Sequence, residues 1–351
     1  MSEEASNRVS VPANGPHRWS RREIIKSLGA VAGAIGGLSL GPRRAAAEPP
    51  PETTRIRLVK TSLCVAPEYI AEQLLHTEGF SEVQYLDDDP REIGTSKLVA
   101  TGAADLNMSF GLTTLIRVDA GEPVIMLGGV HAGRYELFGT EAVQSVRDLR
   151  GRKVGIPGTG SSHHLFLSIM TSYVGLDPRR DISWVSLSRE EAKQQLAEGK
   201  IDAFLGFPPD PQELRAKGIG HIVLNSSTDQ PWSQYFCCMV VGNLDFVRRN
   251  PVATKRALRA LLRATDQCAT QPARSAQFLV DKGYVQSRDY ALQTLSDVQY
   301  REWRDYNPED SVRFFALRLH EVGMVKSSPK TLIAQGTDWR FLNELRKELK
   351  A

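Results

Sequence analysis

Short apolar runs alternate along this chain with stretches whose apolar positions recur every three or four residues, the two periods that separate strands from helices. Residues 55–59, 106–110, 123–127, 135–138, 153–156, 184–187, 203–207 and 233–241 read as strands. Residues 68–76, 93–100, 162–170 and 189–198 read as helices, and 145–151 as a short helix and turn. After Asn250-Pro251 the pattern turns wholly helical, over 252–270, 273–282, 289–295, 309–322, 328–333 and 341–349. Strands alternating with helices predict an α/β fold, and a helical tail predicts an outer cover for part of it.

Two halves of the pattern match. Ala100-Thr-Gly102-Ala-Ala-Asp105 leads from a helix into an apolar strand, and Ala197-Glu-Gly199-Lys-Ile-Asp202 does the same 97 residues later. Each is preceded by its own strand, loop and helix, so the chain reads as two similar α/β lobes in tandem. The most distinctive connection opens the second lobe. Pro157-Gly-Thr-Gly-Ser-Ser-His163 crowds breaker residues and N-cap types between a strand and a helix. Backbone N–H groups at such a helix start suit an anion or a polar head group. The loop lacks both the Gly-Lys-Ser/Thr of a P-loop and the G-x-G-x-x-G dinucleotide fingerprint, which argues against nucleotide chemistry.

Charge changes the picture at the N-terminus. The whole chain has 44 Lys and Arg against 41 Asp and Glu, but residues 1–47 carry seven basic and three acidic groups. The remainder holds 37 basic against 38 acidic residues, a net of −1, with no basic face for nucleic acid. Ser20-Arg21-Arg22-Glu-Ile-Ile-Lys26 resembles the twin-arginine export signal, and an apolar Gly- and Ala-rich run over 27–40 follows. Ala45-Ala-Ala47 then offers a cleavage site. The expected organisation is a signal over 1–47, a Pro-rich disordered leader over 48–54, a first lobe over 55–140 plus 240–351, and a second over 141–239.

Taken together, the export signal, Ser62-Leu-Cys-Val-Ala-Pro-Glu-Tyr69, Asp105-Leu-Asn-Met-Ser-Phe-Gly111, Leu149-Arg-Gly-Arg-Lys-Val-Gly-Ile-Pro-Gly-Thr-Gly-Ser161 and Gly199-Lys-Ile-Asp-Ala-Phe204 resemble ABC-importer substrate-binding proteins. The resemblance is to the NitT/TauT type (SsuA-like, NMT1/THI5-like), over residues 55–349. It implies a type II periplasmic-binding-protein fold: two α/β lobes joined by two crossing strands, C-terminal helices on the first lobe, and hinged closure on a ligand. It also implies a periplasmic monomer. Its partners would be a small-molecule ligand, an ABC permease with a cytoplasmic ATPase and, for the precursor, the Tat export machinery.

Carried over residue by residue, the cleft would be lined by Ser62, Leu63 and Cys64; by Ser109, Phe110 and Gly111; by Gly158, Thr159, Gly160, Ser161, Ser162 and His163; and by Phe207 and Pro208. These are strand C-terminal ends, where open α/β sheets bind ligands. Basic groups for a sulfonate or nitrate are not obvious there; His131, Arg134 and His163 are the nearest candidates for meeting a carboxylate. Phe110 and Phe207 suit an aromatic or heterocyclic ring. The expected ligand is a sulfonate, an aromatic or heterocyclic carboxylate, or a pyrimidine.

No cofactor, metal or catalytic group is expected in that reading. The alternative is a desulfinase-like enzyme on the same fold, with Cys64 as nucleophile helped by His131 or His163. Cys237 and Cys238, adjacent on a strand, should face opposite ways, and with Cys268 they read as buried thiols rather than an oxidised framework. One of His163 and His164 should face the cleft and the other the helix flank. Trp232 would either close over the cleft or pack the hinge, and the acidic run at 87–89 reads as a solvated turn.

Overall fold

The computed structural model describes residues 48–60, 62–87 and 97–349. The twin-arginine segment, most of the acidic run at 87–89 and the start of the helix expected from residue 93 lie outside them. Residues 49–351 form one compact unit.

Among the described residues ten strands form three sheets, two in the first lobe and one in the second. In the first, β1 (Arg55–Lys60) pairs in parallel with β2 (Glu82–Asp87), and β10 (Phe236–Asn243) lies antiparallel between β3 (Leu106–Phe110) and β4 (Val124–Ala132). The second is a five-stranded sheet ordered β7 (Ser183–Ser186), β6 (Lys153–Ile156), β8 (Ala203–Gly206), β5 (Glu136–Gly139), β9 (His221–Asn225). Every residue of β3, β4 and β10 is buried, as near-continuous apolar runs require of strands covered on both faces. The chain passes between lobes twice, from β4 into β5 and from β9 into β10. These crossings shift the expected lobe boundaries: β5 belongs to the second sheet, and β10 joins the first from its first residue.

The helices are α1 (Ala66–Ile70), α2 (Glu72–Thr77), α3 (Lys97–Ala100), α4 (Gly111–Asp119), α5 (Ser162–Tyr173), α6 (Arg189–Ala197) and α7 (Asp210–Lys217), followed by the tail. The tail comprises α8 (Leu244–Arg249), α9 (Pro251–Thr270), α10 (Pro272–Asp281), α11 (Arg288–Asp297), α12 (Pro308–Glu321), α13 (Pro329–Gly336) and α14 (Arg340–Glu348). α9, α13 and α14 pack on β4, so the tail covers the first sheet. α11 instead reaches α7 of the second lobe, where the Asp297 carboxylate accepts from Arg215 Nη2 at 2.6 Å and Gln212 Nε2 at 3.2 Å. Strand β2, helix α4 and the α7–β9 unit have no counterpart in the sequence expectation. The leader is not disordered as expected: Glu52 accepts from the backbone N–H groups of Val252 and Ala253 at the start of α9, at 2.9 and 2.8 Å.

Strands β1 and β3 share no regular ladder. Carboxylates join them instead. Asp105 Oδ2 accepts from the Arg57 backbone N–H at 2.8 Å, while the Arg57 guanidinium bonds the same carboxylate. The fully buried Glu68 accepts from Val59 N–H at 3.1 Å through one oxygen and from Met108 N–H at 2.9 Å through the other. An amide there can accept only one of these bonds and turns a donor toward the second. Glu68→Gln should therefore destabilise the fold by about 2 kcal/mol, the effect of stranding a buried backbone donor. An unfolding free energy from urea titration within about 0.5 kcal/mol of the parent would show that Glu68 does not bridge the strands.

Candidate functional site

The site grows from the first crossing. Between β4 and β5 the chain turns through Gly133, whose φ of +62° and whose missing Cβ (it would lie 2.3 Å from Ser227 Cα) leave room for glycine alone. The Ser226 hydroxyl accepts from the backbone N–H groups of Arg134 and Tyr135, at 3.2 and 2.9 Å, pinning the turn to the end of β9. Arg134, a charged residue only 5 % exposed, is thereby driven to the junction of the lobes. Its Nη1 donates to Ser62 Oγ at 3.2 Å and to Cys64 Sγ at 3.0 Å, and its Nη2 to the Tyr135 hydroxyl at 2.9 Å. The guanidinium lies over three rings: Phe110 at 5.5 Å, Tyr135 at 4.7 Å and Phe207 at 5.0 Å from their centroids. Burial works against its charge, yet the sulfurs of Cys238 and Cys64 raise its pKa well above the usual arginine value. Among the described residues it has no carboxylate ion-pair partner. Arg189, over the outer face of Phe207 at 4.4 Å, is instead paired with Asp210 at 2.7 Å.

Beside Arg134 sits Cys64, held in a 3-10 turn after β1 (Leu63–Val65) and fully buried. Its Sγ lies 2.9 Å from Ser62 Oγ. Burial alone would raise this thiol, but hydrogen bonding with Cys238 and the Arg134 charge, with a further contribution from His131, hold it well below the ordinary cysteine value. Burial and the neighbouring Cys237 and Cys64 push the Cys238 thiol the other way. The register of β10 shifts on both sides of Cys238, which stands opposite His131.

The α5 end delivers Ser162, His163 and Phe166. Ser161 caps the helix, accepting from His164 N–H at 3.3 Å, and Gly158, Thr159, Gly160 and Ser161 form its half-exposed to exposed rim. The His163 ring stands edge-on to Tyr135 at 5.7 Å and beside Phe207 at 5.2 Å, whereas His164 packs on Trp184 at 5.0 Å. Burial, then the charges of Arg189 and Arg134, push the His163 pKa well below normal. His163 is thus a neutral imidazole and not a second cation for a carboxylate.

Of the expected lining, Ser62, Cys64, Phe110, Ser162, His163 and Phe207 converge around Arg134 and Tyr135. His131 stands behind Cys64. Leu63, Ser109, Gly111 and Pro208 are buried alongside, with Gly111 opening α4 next to Met239. Trp232 packs between Phe166 at 5.4 Å and Phe314 at 5.7 Å rather than over the site. Tyr135 and Phe166 went unnoticed in the sequence because an aromatic residue in an apolar run reads as core. Arg134 carried the better signal: an arginine between two strands that are otherwise apolar.

The fold recurs in known proteins. The nitrate-binding protein NrtA of Synechocystis PCC 6803 superposes with a TM-score of 0.72 at 16 % identity, over 86 % of this chain and 90 % of that one. The alkanesulfonate-binding protein SsuA of Xanthomonas axonopodis pv. citri, solved with MOPS, gives 0.65 at 19 % identity over 84 % and 100 %. These place the chain in the periplasmic-binding-protein fold. In sequence, the 4-amino-5-hydroxymethyl-2-methylpyrimidine phosphate synthase THI5 of Saccharomyces cerevisiae is 24 % identical over 259 residues, 68 % of this chain and 72 % of the yeast protein. The family model described as NMT1/THI5 like matches residues 81–275, more than half of the 351 residues. The chain belongs to the NMT1/THI5-like family.

Proposed function

We propose that this protein is an exported solute-binding protein that captures an aromatic monoanion between its lobes and hands it to an ABC permease. One observation carries the ligand class: a buried guanidinium with no carboxylate ion pair, faced by three aromatic rings from both lobes. A carboxylate, sulfinate or sulfonate would meet Arg134, and its ring would meet Phe110, Tyr135 and Phe207. Such a ligand touches both lobes at once, which favours the closed arrangement over the open one. The twin-arginine segment and the fold support export to the periplasm, and no helix of the described residues is long and apolar enough to cross a membrane.

A second reading rests on the 3.0 Å contact between Arg134 and the Cys64 sulfur. A thiolate beside a cation is equipped to attack an electrophilic ligand, as in hydrolytic loss of sulfur from an aryl sulfinate, where water is the co-reactant and arene and hydrogen sulfite the products.

Titration calorimetry with aryl carboxylates, sulfinates and sulfonates against their neutral amides tests the main reading. Anions should bind, and Arg134→Met, which keeps volume and removes charge, should weaken them about 100-fold, the worth of charged hydrogen bonds of some 1.5–3 kcal/mol each. Equal affinity for the neutral amides would sink the assignment. For the second reading, hydrogen sulfite release from an aryl sulfinate should vanish in Cys64→Ala while binding persists; a parent protein without turnover leaves a binder only. Export is expected to fail when Arg21 and Arg22 are both changed to Lys, with precursor retained in the cytoplasm; unchanged periplasmic protein would rule out the twin-arginine route.

A further inference from the structure

Next to Arg134 lies a second constellation, which shares Cys64 with the candidate site. The ligand atoms of Cys64, His131 and Cys238 all lie within 4.8 Å of one another, and all three residues are completely buried. They come from three separate elements: the turn after β1, the C-terminal end of β4 and the irregular stretch of β10, where Cys238 stands opposite both His131 and Phe110. The imidazole is oriented for the purpose. His131 Nδ1 lies 2.9 Å from the Gly133 carbonyl oxygen, which can only accept, so Nδ1 carries the proton. In the neutral ring, Nε2 then keeps its lone pair, and this atom has no hydrogen-bond partner among the described residues. A histidine fixed by a carbonyl at one nitrogen and unpartnered at the other is the arrangement of a metal ligand. A buried polar atom left otherwise unsatisfied is costly.

We propose that Cys64, His131 and Cys238 form a three-coordinate site for a soft monovalent cation, Cu(I). Two sulfurs and one imidazole nitrogen are donors that select thiophilic ions over magnesium or calcium. Charge narrows the choice. With no organic anion in the cleft, two thiolates, one monovalent ion and the Arg134 guanidinium sum to neutrality, whereas a divalent ion leaves an uncompensated positive charge in a dry site. Arg134 and Ser62 already occupy the outer side of the Cys64 sulfur, at 3.0 and 2.9 Å, and serve as its second layer of support. Binding is coordination without electron transfer: Cu(I) enters as Cu(I), and the Cys238 thiol releases its proton to solvent. The metal site and the organic anion share Arg134, so the proposal is made for the protein without its anion.

The test is an anaerobic competition titration of the reduced protein against bicinchoninate-buffered Cu(I). One equivalent should leave the chelator. Cys64→Ser, Cys238→Ser and His131→Ala should each weaken uptake by about 100-fold or more, since even a lost supporting residue commonly lowers metal affinity 10–100-fold. Cys268→Ser, on α9, should bind as the parent does. Because a core substitution can unfold the chain, X-ray absorption on the loaded parent gives a second readout: two sulfur neighbours and one nitrogen. Absence of stoichiometric uptake, uptake indifferent to the three substitutions, or a different set of neighbours would each overturn the site. Tighter retention of Zn(II) by the same three side chains would overturn the monovalent assignment.

Discussion

The molecule is arranged around one buried charge. Moving a guanidinium out of water is unfavourable by several kcal/mol unless the protein replaces its hydration. Here the replacement for Arg134 comes from parts of the chain that have nothing else in common: a hydroxyl and a sulfur from the turn after β1, a phenol from the crossing, and ring faces from the ends of β3 and β8. All must be in place together. The meeting of two lobes at this point is therefore a condition for burying the charge, and the charge is what makes the meeting specific.

The scaffold that sets this up is rigid for a simple reason. β4 and β10 are paired with each other and buried along their whole lengths, with the helical tail against β4. They fix His131, Arg134 and Cys238 relative to one another. The outer pair, β1 and β2, is attached differently, through the carboxylates of Glu68 and Asp105 rather than a ladder. The turn carrying Ser62 and Cys64 hangs from that attachment. One wall of the site is thus held by backbone pairing and the other by side-chain acceptors.

Much of this was legible in the sequence because it depends on periodicity and breakers. Strands β3 and β6 fall where the apolar runs lie, and the long helix α9 starts at Asn250-Pro251, although α8 (Leu244–Arg249) opens the tail ahead of it. The Gly-Thr-Gly-Ser-Ser loop opens α5 as its breakers and cap types require. What could not be read is what depends on three dimensions. β2 is only half-buried, so its run is too weakly apolar to stand out. The gathering of Cys64, His131 and Cys238 spans positions far apart in the chain, with no local spacing to betray it. The state of His163 follows first from its burial and then from two arginines, all of which come about only on folding. Even Glu52, in a stretch whose prolines suggest an unstructured leader, gains its role from a helix start some two hundred residues away.

The contact between α7 and α11 bears on how fast the protein could exchange what it holds. Asp297 takes bonds from Arg215 and Gln212 on the far lobe, and Arg215 also holds Glu136 on β5. Arg215 and Asp297 are partly exposed, so dissolved ions reach that pair, while Arg134 is sheltered. Parting the lobes breaks the outer pair and leaves the inner charge to whatever enters. Ionic strength then acts as a throttle on the opening rate through Asp297, with little leverage on recognition at Arg134, because screening weakens exposed pairs far more than buried ones. In the proposed role, changing ionic strength would thus alter the tempo of release more than the selectivity of capture.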